Sequence, residues 1–271
     1  ALDASQRDYA EKASGAARSL LGLLNDILDF SKVEAGKMEL EHETLRLDSL
    51  LRHLSVVLSA NVGAKDIEVL FDLDPNHPPL VIGDSMRLLQ ILINLTANGV
   101  KFTDRGEVVV QSRVLAVKEQ SATIRYSVRD TGIGISPDRM EHILGVFAQG
   151  ETSTTRRFGG SGLGLSICSR LLRLMGSELK VSSSLGQGST FHFDLELPIP
   201  AQSAWPAAAA NPFIAGMNVK PLSVLLVDDN PVALQSMSAM MMVQGWQVEV
   251  AASGERAIEL VEARQKAGRD D

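Results

Sequence analysis

The 271-residue sequence has one cysteine, Cys168. A single thiol forms no internal disulfide and supplies no thiolate cluster for a metal, which fits a reducing compartment. No apolar run approaches the roughly 18 residues that a membrane helix needs. The first residues, Ala-Leu-Asp-Ala-Ser-Gln-Arg-Asp, are not a signal peptide. Basic charge is not in excess either: 26 Lys and Arg stand against 33 Asp and Glu, a formal net charge of -7. A nucleic-acid partner is therefore disfavoured. These absences describe a cytoplasmic-type segment, with any membrane attachment expected only through regions N-terminal to it. What is present is ordinary globular material, 45% hydrophobic and 22% charged, enough for two or three compact units.

Four stretches follow from pattern. In residues 1–37, Ala13, Ala16, Leu20, Leu23, Ile27 and Phe30 recur at alternating steps of three and four, a heptad seam. Ala17, Leu21, Leu24 and Leu28 run beside it. The doubled face is too wide for a two-stranded coil and suits a bundle helix, here expected to form a homodimer, with Gly36 as its stop. Residues 38–200 read as an α+β unit, a two-layer sandwich with a mixed sheet. Its strands are expected at 67–73, 107–117, 122–129 and 191–197, and its helices open at Asp48, Asp84, Ser136-Pro137 and near Ser161. Residues 201–220 form a Pro- and Ala-rich linker. In 221–271, the run Val224-Leu225-Leu226-Val227 ends in Asp228-Asp229-Asn230. That is a buried parallel strand with carboxylates at its C-terminal edge, followed by a helix from Pro231 and a second strand at 247–251.

Four elements carry chemistry. On the helix opening at Asp84, residues Gln90, Asn94, Asn98 and Lys101 fall on one polar stripe. Asn is a poor interior helix former, but amide oxygens can ligate Mg²⁺, amide nitrogens can donate to phosphate, and Lys101 can neutralise charge. A plain polar face would read the same way. Asp130 ends a strand before Thr131-Gly132-Ile133-Gly134; a carboxylate there can accept from an exocyclic amine, and the glycines let backbone approach a flat ring. An ordinary strand-to-helix turn would use glycine as readily. Gly159-Gly160-Ser161-Gly162-Leu163-Gly164-Leu165 opens an amphipathic helix, a ready phosphate site. The polar stretch before it, with Arg156 and Arg157, reads as a lid over an anion. Gly186-Gln187-Gly188-Ser189-Thr190-Phe191 is a glycine turn leading into a strand.

In this order the four elements resemble the catalytic half of a bacterial hybrid sensor histidine kinase, within the gyrase, Hsp90, histidine kinase and MutL ATPase superfamily. Residues 94–103 are similar to the N box, 130–135 to the G1 box, 160–165 to the G2 box and 186–191 to the last glycine box. Residues 28–36 resemble the second dimerisation helix, and Asp228-Asp229-Asn230 the start of a receiver domain. The resemblance implies ATP and Mg²⁺ as cofactors. Asn98 and Asn94 would lie at the metal, with Asn94 and Gln90 near the chemistry. Lys101, Arg156 and Arg157 would reach phosphate, and Asp130 would hold the adenine amine. Phe102, Gly132, Ile133, Gly134, Gly160, Ser161, Gly162, Leu163, Gly164, Leu165 and Thr190 would shape the walls. Asp228 and Asp229 would form part of a receiver's acidic metal pocket. A response regulator or phosphotransfer domain is the implied partner.

Three departures qualify the resemblance. Gly145-Val146-Phe147 lacks the usual proline before the phenylalanine, Ser161 replaces a threonine, and no His-Glu motif followed by Arg-Thr-Pro occurs. His42, His53, His77, His142 and His192 lack that context and read as structural. Two other readings remain open, an ATP-hydrolysing relative and a nucleotide-binding module that regulates another kinase. The first needs a general base on the N-box helix, where Gln90 cannot serve. Phosphoryl transfer needs an acceptor in line with the γ-phosphate, so residues 1–271 by themselves are expected to bind nucleotide without phosphorylating themselves. Incubation with γ-labelled ATP and assay for acid-labile, alkali-stable phosphate tests this; stoichiometric label on any of the five histidines contradicts it.

Overall fold

The computed structural model describes residues 3–62, 65–140, 143, 164–201, 222–243 and 245–266. The first element is a 31-residue helix, α1 (Ala4–Glu34), capped by Asp3, whose side chain accepts from the Gln6 N–H. Gly36, at φ 63°, follows its end, as its sequence position implied. Leu20 and Leu21 are 68% and 59% exposed, and Leu24, Ile27 and Leu28 are also exposed. These residues belong to both stripes of the expected bundle face.

The central layer is a five-stranded sheet in the order β2 (Asp66–Leu73), β4 (Arg105–Val117), β5 (Ser121–Asp130), β7 (Gly188–Pro198), β6 (Lys180–Ser184). β2 and β4 are parallel and the other pairs antiparallel, so the sheet is mixed, as expected. A small ribbon pairs β1 (Glu43–Leu45) with β3 (Val81–Gly83). β1, β3 and β6 carry no alternating apolar signal: two have three residues each and β6 reads Lys-Val-Ser-Ser-Ser.

Alternation divides the two faces of the sheet. Val108, Val110, Ile124, Tyr126, Val128, Phe193 and Leu195 point to one side, and all are buried. There they meet α2 (Leu47–Val62), α3 (Ser85–Phe102) and α5 (Gly164–Leu174). α3 contributes Leu88, Ile91, Leu92 and Leu95, essentially inaccessible to solvent; each such burial is worth about 1.5–3 kcal/mol. Tyr126 stacks on Phe193 with ring centroids 5.5 Å apart. The other face is polar and laced with ion pairs. Arg125 binds Asp194 through two bonds of 2.7 and 2.8 Å, Arg113 pairs with Asp72, and Arg129 with Glu107.

Asp84 is the N-cap the sequence indicated. Its Oδ1 accepts from the Arg87 N–H at 2.9 Å, and its Oδ2 accepts from the Glu41 N–H at 3.1 Å. Asp48 lies in the first turn of α2, which begins one residue earlier. From Ser136-Pro137 the structure describes only a single turn, α4 (Pro137–Met140). The last unit alternates β8 (Ser223–Val227), α6 (Pro231–Val243), β9 (Gln247–Ala251) and α7 (Gly254–Lys266), with β8 and β9 parallel. Both strands and the Pro231 helix are where the sequence put them. The expected linker falls almost wholly outside the described residues.

Candidate functional site

The predicted elements converge where α3 ends, β5 ends and the β6–β7 hairpin turns. Phe102 closes α3, and its carbonyl accepts from the Ile133 N–H at 3.2 Å. The Ile133 carbonyl in turn accepts from the Gly186 N–H at 2.7 Å. Ser183 Oγ accepts from the Ile135 N–H at 2.8 Å and donates to the Gly188 carbonyl at 2.7 Å. Three segments distant in sequence are thus sewn together by main-chain groups and the Ser183 hydroxyl, partners that side-chain patterning cannot reveal.

Asp130 sits at the centre of the stitching. It is 7% exposed, and its Oδ1 accepts from the Gly132 N–H at 2.9 Å and the Ser189 N–H at 3.3 Å. Neither bond uses Oδ2. Burial pushes the carboxyl above the ordinary Asp range, against the two N–H donors and the neighbouring Arg129, which pull it down. Glycine is required at several positions here, Gly132 included, where a Cβ would overlap the Phe102 carbonyl. Gly188 has φ 89°, and a Cβ on it would overlap the Asp130 carbonyl; Gly134 has φ 67°, and a Cβ would overlap the Ser184 carbonyl.

The stripe on α3 divides. Asn94 and Asn98 are half-buried, and the Asn94 amide oxygen would lie 3.6 Å from a Cβ added at Gly164, so the start of α5 faces it. Lys101 holds its ammonium 5.0 Å from the Phe102 ring centroid, and burial lowers its pKa. Gln90 turns toward α1. It donates to Asp29 Oδ2 and accepts from Arg87, each at 2.9 Å, while Arg87 also pairs with Asp29 at 2.9 Å. This trio joins α1 to α3, far apart in sequence, a pairing that no local pattern marks.

The strand register displaces one predicted wall residue. Thr190 pairs across from Arg129, whereas Ser189 pairs across from Asp130. Alternation therefore puts Thr190 on the polar face, and Ser189 is the residue that bonds Asp130. The signal was present in the sequence: Phe191, Phe193, Leu195 and Leu197 mark the inward face, and Ser189 shares their parity. Ser183 left no such signal among the serines at 182–184. Ile133 is 45% exposed beside Asp130, and Leu165 packs on the core. Arg156, Arg157, Gly160, Ser161, Gly162, Leu163, the 145–147 departure and His142 lie outside the described residues. Among those described, no group of three His, Cys, Asp or Glu could hold a metal, Asp228 and Asp229 included.

This arrangement matches a known domain. Residues 83–199 fit the sequence profile described as "Histidine kinase-, DNA gyrase B-, and HSP90-like ATPase". These residues are an ATPase domain of the histidine kinase type. Hybrid signal transduction histidine kinase F of Dictyostelium discoideum is 40% identical over 72% of this chain. The sensor histidine kinase GacS of Pseudomonas protegens is 40% identical over 73% of it. The chain spans 18% and 22% of those two relatives. Among solved structures, full-length ShkA in complex with AMPPNP matches 96% of this chain and 51% of its own, at 30% identity and a TM-score of 0.73. The Acinetobacter baumannii histidine kinase AdeS, 18% identical over 73% of this chain and 86% of its own with a TM-score of 0.55, shares the fold. Residues 83–199 are thus an ATP-binding catalytic domain of the kind carried by two-component hybrid kinases.

The two glycine turns of the ATPase domain are expected to differ in cost. Gly186→Ala meets nothing within 4 Å at φ 78° and pays only for the left-handed conformation, about 1–2 kcal/mol. Gly188→Ala adds an overlap with Asp130 and should lower the urea midpoint further, with loss of ADP binding. Equal midpoints for the two variants would contradict the stitched site.

Proposed function

We propose that this chain is the ATP-binding and phosphoryl-donating portion of a bacterial two-component sensor histidine kinase, active toward a histidine on a helix packed against α1. The observation that carries the reading is Asp130, whose Oδ1 is fixed by two backbone N–H groups so that Oδ2 is held toward an adenine amine. Asn94, Asn98 and Lys101 lie along α3 from that point and lead toward the phosphates, and the helix start at Gly164 faces Asn94. The donor set fits a magnesium ion carried in by the nucleotide: two amide oxygens one turn apart are too few for a protein cage, and phosphate oxygens would complete the shell. Such an ion would neutralise charge on the β- and γ-phosphates. Lys101, partly stripped of water, gains from a phosphate beside it.

The exposed apolar residues of α1 are proposed as a dimer face in the cytoplasm. The β8–α6–β9–α7 unit is proposed as the beginning of a receiver, with Asp228 and Asp229 at the end of its first strand. A response regulator or phosphotransfer domain then takes the phosphoryl group onward.

Asp130→Asn replaces one acceptor oxygen by a donor. Losing a charge-assisted hydrogen bond costs about 1.5–3 kcal/mol, or roughly ten- to a hundredfold in ADP affinity by calorimetry. In the wild type, ADP affinity should fall with acidification, beginning above the pH at which an ordinary Asp titrates, because protonation removes the acceptor. Asn98→Ala should fold normally and weaken the magnesium-dependent part of binding. Unchanged ADP affinity in Asp130→Asn would sink the adenine assignment.

A further inference from the structure

The β8–α6–β9–α7 unit is seated on the ATPase domain, with α6 against β2. The seat has an electrostatic problem built into it. β2 and β4 set Glu68 directly beside Glu107 in register, and like charges across a ladder are destabilising. Asn230, in the turn between β8 and α6, resolves it. Its Nδ2 has two hydrogens and donates to Glu68 Oε2 at 2.5 Å and to Glu107 Oε2 at 3.2 Å. The Asn230 Oδ1 accepts from the Val232 and Ala233 N–H groups at 2.9 and 3.3 Å, so the amide cannot turn over without uncapping α6. Further along, Ser236 Oγ donates to the Phe71 carbonyl at 3.0 Å, and Ser236 is 3% exposed.

Glu107 also holds the residues on either side of Asp130. Its Oε1 pairs with Arg129, the residue before Asp130. Its main chain clamps Thr131, the residue after. The Thr131 N–H donates to the Glu107 carbonyl at 3.1 Å, and the Glu107 N–H donates to Thr131 Oγ1 at 3.0 Å. We infer that Glu107 is a positioning residue through which seating of the Ser223–Lys266 unit steadies Asp130, so that docking and nucleotide binding favour each other. This rests on the proposed role of Asp130 at the adenine. With Asn230 in place, the Glu107 carboxylate is satisfied on both oxygens. With Asn230 withdrawn, only Arg129 is left to offset the repulsion of Glu107 by Glu68, and the restraint on the strand ends that bracket Asp130 weakens.

Asn230→Asp separates the possibilities. Asp is as good a cap as Asn, so α6 keeps its first turn, but a third carboxylate now faces Glu68 and Glu107. Docking is read by thiol labelling in a Ser236→Cys background, with the unmodified chain, whose Cys168 is fully buried, as the expected slow-labelling reference. Asn230→Asp should accelerate labelling of Cys at 236 at least about tenfold and weaken ADP binding roughly fivefold or more. Adding Glu68→Gln supplies a donor to the new carboxylate and should restore both, without touching Glu107. Reciprocity requires that ADP slow the labelling of the Ser236→Cys chain. Unchanged labelling in Asn230→Asp overturns the docking, and faster labelling with unchanged ADP affinity overturns the coupling. Absence of ADP binding even in the wild type overturns the adenine reading and the coupling with it.

Discussion

A carboxylate buried at a strand end must be supplied with hydrogen-bond donors, and at Asp130 those donors come from the backbone of its own turn and of the hairpin strand beside it. The Gly132 and Ser189 N–H groups can reach one oxygen only if the chain turns sharply after β5 and enters β7 through a left-handed glycine. That requirement explains the glycines at 134 and 188, the packing of the hairpin against the turn, and the Ser183 bridge between them. The core beneath serves the same end. Tyr126 and Val128 anchor β5 against α3 and α5, so that Asp130 projects from a strand with little freedom to shift.

The sequence exposed the parts of this design that depend on side-chain type. Periodicity located α1, α3 and the long strands, and the glycine motifs at 132–134 and 186–188 fall where the turn after β5 meets the β6–β7 hairpin. What stayed hidden depends on register and on main-chain partners. Ser189 and Thr190 are adjacent hydroxyl residues, and only strand register sets Ser189 across from Asp130 and Thr190 across from Arg129. Gln90 shared a stripe with Asn94 and Asn98, yet one turn of helix carries it to Asp29 and Arg87. Charge pairing over long separations was equally silent: nothing in the local pattern near Glu107 announces Arg129 on one side and Asn230 on the other.

The polar face of the sheet is usually the passive side of a two-layer fold. Here it carries a row of ion pairs and a second unit seated at its β2 edge. A strand pair whose register sets Glu68 against Glu107 is a poor choice for a bare solvent face and a reasonable one for a surface that receives an amide. The same sheet therefore carries Asp130 on one face and receives the C-terminal unit on the other.

The central claim, that Asp130 reads the exocyclic amine of adenine, is tested most directly by comparing ADP with inosine diphosphate, which carries a carbonyl in place of that amine. Wild-type protein should prefer ADP by roughly ten- to a hundredfold, and Asp130→Asn should erase most of that preference. Equal affinity of the wild type for the two nucleotides would contradict the account.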